Sequence, residues 1–263
     1  MSTRLASRLE AELLLAHVLQ VERSWLYAHG EVELTDAQQS SFLALADRRQ
    51  HGEPMAYLLG HREFYGRRFL VNPAVLIPRP ETELLVETTL EKLKLPAAAV
   101  IDVGTGSGCI ALSLAAERPG WRVSAVDLSA EALAVCRRNA ELLQLPRVEL
   151  LQGDLLAPIA DRRFDAVVSN PPYVAAGDPH LARGDLRFEP DLALSAGSHG
   201  LVVIRRLLEQ AMHCLQPGGW LLIEHGYDQA STLRQLFADA GFGSIATRRD
   251  LAGIERVTLG CLP

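Results

Sequence analysis

No apolar run in this sequence is long enough to span a bilayer. The stretch from Met1 to Glu10 mixes acid with apolar residues and lacks the unbroken apolar core of a signal peptide. The expectation is therefore a cytoplasmic protein. Excess positive charge is also missing. The 26 Lys and Arg are outnumbered by 32 Asp and Glu, leaving a net charge of −6. A sequence-blind grip on nucleic-acid phosphates needs a basic surface, so this balance argues against one. The pairs Arg48-Arg49, Arg67-Arg68 and Arg205-Arg206 are scattered and read as solvated faces. None of the four cysteines (Cys109, Cys136, Cys214 and Cys261) belongs to a C-x-x-C pair. The eight histidines show no H-E-x-x-H spacing. Buried reduced thiols are expected, without a disulfide framework or a metal site. There is no internal repeat and no low-complexity tract.

What is present divides into two patterns. The 263 residues, 48% of them hydrophobic, can bury one large or two modest cores. Residues 1–60 have helical period. Leu9, Leu13, Ala16 and Leu19 fall on one predicted face. Thr35 before Asp36 reads as the cap of a helix carrying Phe42, Leu43 and Leu45. Residues 61–80 read as a hairpin around Gly66 and a proline-punctuated connector. Arg79-Pro80-Glu81-Thr82-Glu83 opens the next helix. Its acids suit a helix start, and a role in a site is the alternative.

From residue 81 to 263 strands and helices alternate. Strands are predicted at 98–103, 121–127, 148–151, 164–169 and 220–224, with a final pair at 244–248 and 256–262. Helices fall at 109–117, 130–143, 201–215 and 228–240, the third closed by Pro217-Gly218-Gly219. Such alternation implies an α/β domain: a doubly wound, mostly parallel sheet with helices on both faces.

Two loops carry chemistry. The first strand runs into Gly104-Thr105-Gly106-Ser107-Gly108. Glycines there permit a tight turn and close approach of a ligand. Asp127 ends the second strand and can accept two ribose hydroxyls. Asp154 follows the third, where an adenine edge would lie. A dinucleotide site predicts G-x-G-x-x-G, but this loop reads G-x-G-x-G with one nucleotide-sized half. A mononucleoside-like cofactor fits better, S-adenosylmethionine first. The plainer alternative is glycines serving only the turn.

The second loop is Asn170-Pro171-Pro172-Tyr173, directly after an apolar strand. Both prolines lack an N–H and fix φ, and Asn170 and Pro171 each precede a proline. The Asn170 side-chain oxygen and the Pro171 carbonyl can together accept both hydrogens of one planar –NH2 group. Tyr173 offers a ring face for stacking. Strands one and four commonly flank the switch point of such sheets, which would bring the two loops over one crevice. An ordinary strand-ending turn is the alternative. Residues 174–199, with Asp178, His180, Phe188 and Glu189, form a long connection expected to border the substrate entrance.

The sequence resembles the HemK/PrmC family of protein-(glutamine-N5) methyltransferases. The resemblance rests on Gly60 to Gly66, Ile77 to Glu83, Asp102 to Gly108 and Ser169 to Tyr173. It continues through Phe188-Glu189-Pro190, Glu224-His225-Gly226 and Glu255 to Gly260. It implies a class I S-adenosylmethionine-dependent methyltransferase fold with a small N-terminal helical domain. The implied acceptor is the Gly-Gly-Gln loop of class-1 peptide chain release factors, docked with help from the N-terminal helices. In that picture Asn170 and Pro171 are catalytic. Substrate contacts are Asn170, Pro171, Pro172 and Tyr173. Cofactor contacts are Gly104, Thr105, Gly106, Ser107, Gly108, Asp127, Asp154, Leu155 and Asn170. The chain departs from the family pattern at Ser195 to Gly200 and at Leu155, where some members carry an aromatic residue. Neither a metal nor a membrane is implied, and a monomer is the default. Asn-Pro-Pro-Tyr also occurs in nucleic-acid amino-methyltransferases. These are the first rival, and a non-catalytic binding protein on the same scaffold is the second.

Overall fold

The computed structural model describes residues 7–174, 177, 184–194 and 200–263. Four helices come first: α1 (Arg8–Leu19), α2 (Arg23–Ala28), α3 (Asp36–Gln50) and α4 (Met55–Leu59). Thr35 caps α3 as predicted, in a reciprocal box with Gln38. The buried stripe of α1 differs from the predicted one. Leu14 and Ala16 are buried, whereas Leu9 is 49% exposed. The run Leu13-Leu14-Leu15-Ala16 is apolar all round, so period alone does not choose a face. Packing against α3 and α4 does. In α3 likewise, Ala46 is buried and Leu43 exposed.

The hairpin pairs β1 (His61–Phe64) with β2 (Arg67–Leu70). Its turn, Tyr65-Gly66, has positive φ at both residues, 50° and 66°, the geometry that matches strand twist. Phe64 and Phe69 meet edge to face at 6.0 Å and sink into the main core.

The remaining elements are α5 (Glu83–Lys92), β3 (Ala99–Val103), α6 (Cys109–Glu117), β4 (Arg122–Asp127), α7 (Ala130–Leu142), β5 (Glu149–Gln152) and β6 (Phe164–Ser169). After them come α8 (Asp191–Leu194), α9 (Val202–Cys214), β7 (Leu215–Glu224), α10 (Ala230–Asp239), β8 (Gly243–Arg249) and β9 (Glu255–Cys261). The sheet order is β5-β4-β3-β6-β7-β9-β8. The first five strands are mutually parallel, and β9 runs antiparallel to both its neighbours.

Period-two alternation along the buried strands feeds two cores. Val100, Val123, Ala166 and Leu222 face α5, α6 and α7. Ile101, Val167, Leu221 and Ile223 face α9 and α10, where Leu207 and Phe237 are fully buried. Each Val, Leu, Ile or Phe among them contributes about 1.5–3 kcal/mol by leaving water. Cys109, Cys136 and Cys214 are buried thiols and Cys261 is half-buried.

One boundary is corrected. Pro217-Gly218-Gly219 lies inside β7 and does not close α9. Gly218 N–H donates to the Leu262 carbonyl, and Leu262 N–H to that of Gly219, both at 2.8 Å. The ladder to the last strand thus carries the chain through a triplet whose composition reads as a turn.

The hairpin and connector are fastened to both parts of the chain. Tyr57 of α4 and Val75 and Ile77 of the connector pack with Ala132 and Val135 of α7. Arg49 of α3 pairs with Glu10 at 2.9 Å and Asp185 at 3.3 Å. Arg187 donates to the His51 carbonyl. Asp185 and Arg187, midway along the 174–199 connection, are therefore held against the N-terminal helices.

Candidate active site

Strand register sets the site. Val103 pairs with Ser169, so Gly104 and Asn170 leave the sheet side by side at the switch between β3 and β6. The Ser169 hydroxyl donates to the Val103 carbonyl at 2.7 Å and locks the two strand ends together. The structure thus brings together the two loops singled out by sequence.

The glycines divide the work of the first loop. Gly104 and Gly106 have φ of 74° and 55°, and a Cβ on either would meet nothing within 4 Å. Open space lies over both. Gly108 is different: a Cβ there would come within 2.5 Å of Cys136 Sγ on α7. Thr105 and Ser107 turn their side chains inward. The Thr105 hydroxyl donates to Asp102 Oδ2 at 2.6 Å, and Ser107 is buried. These two residues present backbone to the crevice.

Asp127 closes the loop from β4. Its Oδ2 accepts Gly106 N–H at 2.8 Å and its Oδ1 accepts Ser129 N–H at 2.9 Å. Each oxygen keeps a second lone pair for a hydroxyl donor. Burial pushes its pKa up, while the backbone donors hold it down. Asp102 is fully buried and pushed up to about 7 by desolvation. An open glycine cradle, a paired acceptor at the next strand end and the first turn of α6 fit an adenosyl-bearing cofactor.

Asp154 sits beyond β5, half-exposed, with its Oδ2 2.5 Å from Arg206. Sequence reading did not foresee this partner. Leu155 is half-buried at φ 53°, a left-handed conformation that costs a branched side chain roughly 1 kcal/mol or more.

On the other side, the Asn170 amide nitrogen donates to the Thr82 hydroxyl at 3.2 Å. Among the described residues, nothing donates to Asn170 Oδ1 or to the Pro171 carbonyl. Pro171 is buried, and Pro172 and Tyr173 are half-buried. The Tyr173 carbonyl accepts from Gln229 Nε2 at 3.1 Å. Burial pushes the Tyr173 hydroxyl up to about 12.

Four residues outside the predicted site support it. Thr82, 2% exposed, holds Asn170. Glu224 ends β7 beside it, 2% exposed. Glu189, also buried, pairs with Arg79 and accepts Ile77 N–H at 3.1 Å, bracing the long connection against the connector. Asn139, fully buried on α7, bonds both backbone groups of Leu70 and the Ser107 carbonyl, fixing the hairpin to the glycine loop. An amide within the apolar face of α7 was a signal available in the sequence. Asp178, His180 and residues 195–199 lie outside the described residues.

Comparison with known proteins identifies the family. The model described as "PrmC N-terminal domain" matches residues 4–60 and "Methyltransferase small domain" matches residues 80–184. A release factor glutamine methyltransferase of Bordetella pertussis is 51% identical over 97% of this chain and 95% of its own length. One of Escherichia coli K12 is 46% identical over 96% and 91%. The chain belongs to the release factor glutamine methyltransferase family. The solved structure of a T. Thermophilus 16S rRNA methyltransferase, in complex with AdoMet and guanosine, shares the fold. Its TM-score is 0.58, at 21% identity, over 77% of this chain and 50% of that one. Family membership makes this chain a methyltransferase, with the glycine loop and the Asn-Pro-Pro-Tyr turn leaving adjacent strand ends of its sheet. No helix among the described residues is long and apolar enough to cross a membrane.

Proposed function

We propose that this chain transfers a methyl group from S-adenosylmethionine to the side-chain amide nitrogen (N5) of the glutamine in the Gly-Gly-Gln motif of class-1 release factors. One observation carries the reading. Asn170 turns its –NH2 inward to Thr82, so Oδ1 is left for a donor beside the glycine cradle. A carboxamide or amine nitrogen is the group that such an acceptor pair recognises.

The cofactor, when bound, supplies an electrophilic methyl on a sulfonium. Gly104 and Gly106 give it room, Asp127 accepts the ribose hydroxyls, and Asp154 and Leu155 flank the base. An amide nitrogen is a weak nucleophile because its lone pair is shared with the carbonyl. As its bond to carbon forms, its N–H groups become better donors. Asn170 Oδ1 and the Pro171 carbonyl then hold it more tightly than in the ground state, which lowers the barrier. Rigid prolines keep both acceptors in place, and Tyr173 bounds the slot on which the planar group rests. The methylated nitrogen is acidic and releases its proton to solvent water, so no dedicated base is needed.

Residues 1–60 form the docking unit for the protein substrate in this reading, 61–80 a hairpin and linker, and 81–263 the methyltransferase domain. The ties from Arg49 and Arg187 to residues 184–188 support a shared entrance. A net charge of −6 supports a protein acceptor over a phosphate backbone. A cytoplasmic monomer acting without nucleic acid completes the proposal.

The test is transfer of labelled methyl into purified release factor, DNA and RNA, with the acceptor peptide located by mass spectrometry. Asn170→Ala is expected to lose two to three decades of rate, roughly 3–4 kcal/mol, with a far smaller loss of cofactor affinity. Normal turnover in that variant removes Asn170 from the mechanism.

A further inference from the structure

Asn170 can present either end of its amide to a substrate, and only one end is productive. Facing an –NH2 group, Oδ1 accepts, whereas a flipped Nδ2 would set donor against donor. What chooses the end lies behind the residue, on two other segments. Thr82 reaches it from the start of α5, with its hydroxyl oxygen 3.2 Å from Asn170 Nδ2. Glu224 reaches it from β7, whose Ile223 pairs with Ser169 in register. Glu224 is 2% exposed at that strand end, and Thr82 and Asn170 are among the neighbours that favour its ionised form. Its Oε2 is buried and has no partner among the described residues.

We infer that Glu224 and Thr82 are positioning residues that fix the Asn170 amide with its oxygen outward. An ionised carboxylate only accepts. It therefore draws the Thr82 O–H toward itself and leaves the Thr82 oxygen to accept from Asn170 Nδ2. A protonated Glu224 donates to Thr82 instead. The Thr82 hydroxyl is then free to donate to Asn170, and the amide loses its reason to face one way.

This relay titrates in the working range. Burial, with Glu81 adding repulsion, raises the Glu224 pKa to about 7, while Arg256 on β9 opposes the shift. Tyr173 and Cys109, whose ionisation the Glu224 charge opposes, are pushed further from neutrality and stay protonated. Asp102 has a similarly raised pKa from burial. Variants are therefore needed to assign an acid limb.

The inference rests on the reading of Asn170 given above, and the test separates the two. Glu224→Gln, Thr82→Val, Thr82→Ser and Asn170→Ala are compared in the full chain, with release factor as substrate. Cofactor affinity is read by calorimetry. Glu224→Gln and Thr82→Val are expected to lower kcat about tenfold, the effect of roughly one misplaced hydrogen bond. Thr82→Ser keeps the hydroxyl and most of the rate. Cofactor Kd stays within about twofold in all three, since the relay acts on Asn170 alone. Wild-type kcat falls as pH drops through about 7, and Glu224→Gln flattens that limb. An unchanged kcat in Glu224→Gln and Thr82→Val, a persisting acid limb, or a loss that resides in cofactor Kd overturns the inference. If Asn170→Ala is impaired while any of those results holds, only the relay falls. If Asn170→Ala turns over normally, the reading of Asn170 falls with it.

Discussion

Asp127 Oδ2 accepts the backbone N–H of Gly106 at 2.8 Å, so the residue that ends β4 also shapes the loop that leaves β3. Removing the carboxylate would free the loop and delete the proposed ribose acceptor together. Asp127→Ala is expected to weaken S-adenosylmethionine binding at least about tenfold, the size of one or two charge-assisted hydrogen bonds. Turnover at saturating cofactor should suffer less. Calorimetry beside steady-state kinetics checks this, and unchanged affinity would count against the ribose assignment.

The glycines of that loop should separate by phenotype. In Gly108→Ala the new methyl meets Cys136 Sγ at 2.5 Å on a backbone with φ 83°. A loss of about 2–3 kcal/mol in folding stability is expected from overpacking plus strain. In Gly106→Ala the methyl enters open space, with φ 55°. Only about 1 kcal/mol of backbone strain is expected there, with a larger loss of cofactor affinity. Denaturant melts and binding isotherms on the two variants should show opposite rankings.

Glu189 braces the end of the long connection by pairing with Arg79 and accepting Ile77 N–H. Its side chain is fully buried while Arg79 is 32% exposed. Glu189→Ala leaves a half-buried guanidinium and a buried N–H without their acceptor. The expected cost is about 2–4 kcal/mol, at the lower end because water reaches Arg79. A rise in KM for the protein substrate, with cofactor Kd unchanged, is the kinetic counterpart.

Local signals made much of this fold legible. The bounds of α6 and β6 follow from glycine before one and the apolar Ala166-Val167-Val168 run in the other. The Thr35 cap and the Tyr65-Gly66 turn needed only neighbours in sequence. Switch-point reasoning placed Gly104 beside Asn170, since parallel topology fixes which strand ends meet. The supporting residues were not legible as supports. Thr82 and Asn170 are 88 residues apart, and Arg79 and Glu189 are 110 apart. No period or motif joins such pairs; only the sheet order does. The α1 stripe failed for the opposite reason, because too many local residues fitted.

A buried carboxylate kept for orientation should cost stability. The pKa of Glu224 is raised from 4.5 to about 7 in the folded protein. Between those values the native state holds a proton that the unfolded chain has released. Rising pH therefore favours unfolding across that window, and the penalty levels off above about 7. Gln carries no charge and escapes it. Glu224→Gln should match the wild type in urea melts near pH 4.5 and exceed it by up to about 3 kcal/mol at pH 8. The same variant should turn over more slowly at pH 8, so stability and activity would move in opposite directions at one residue. A wild type whose advantage over Glu224→Gln grows with pH would mean that the carboxylate is well compensated in the fold.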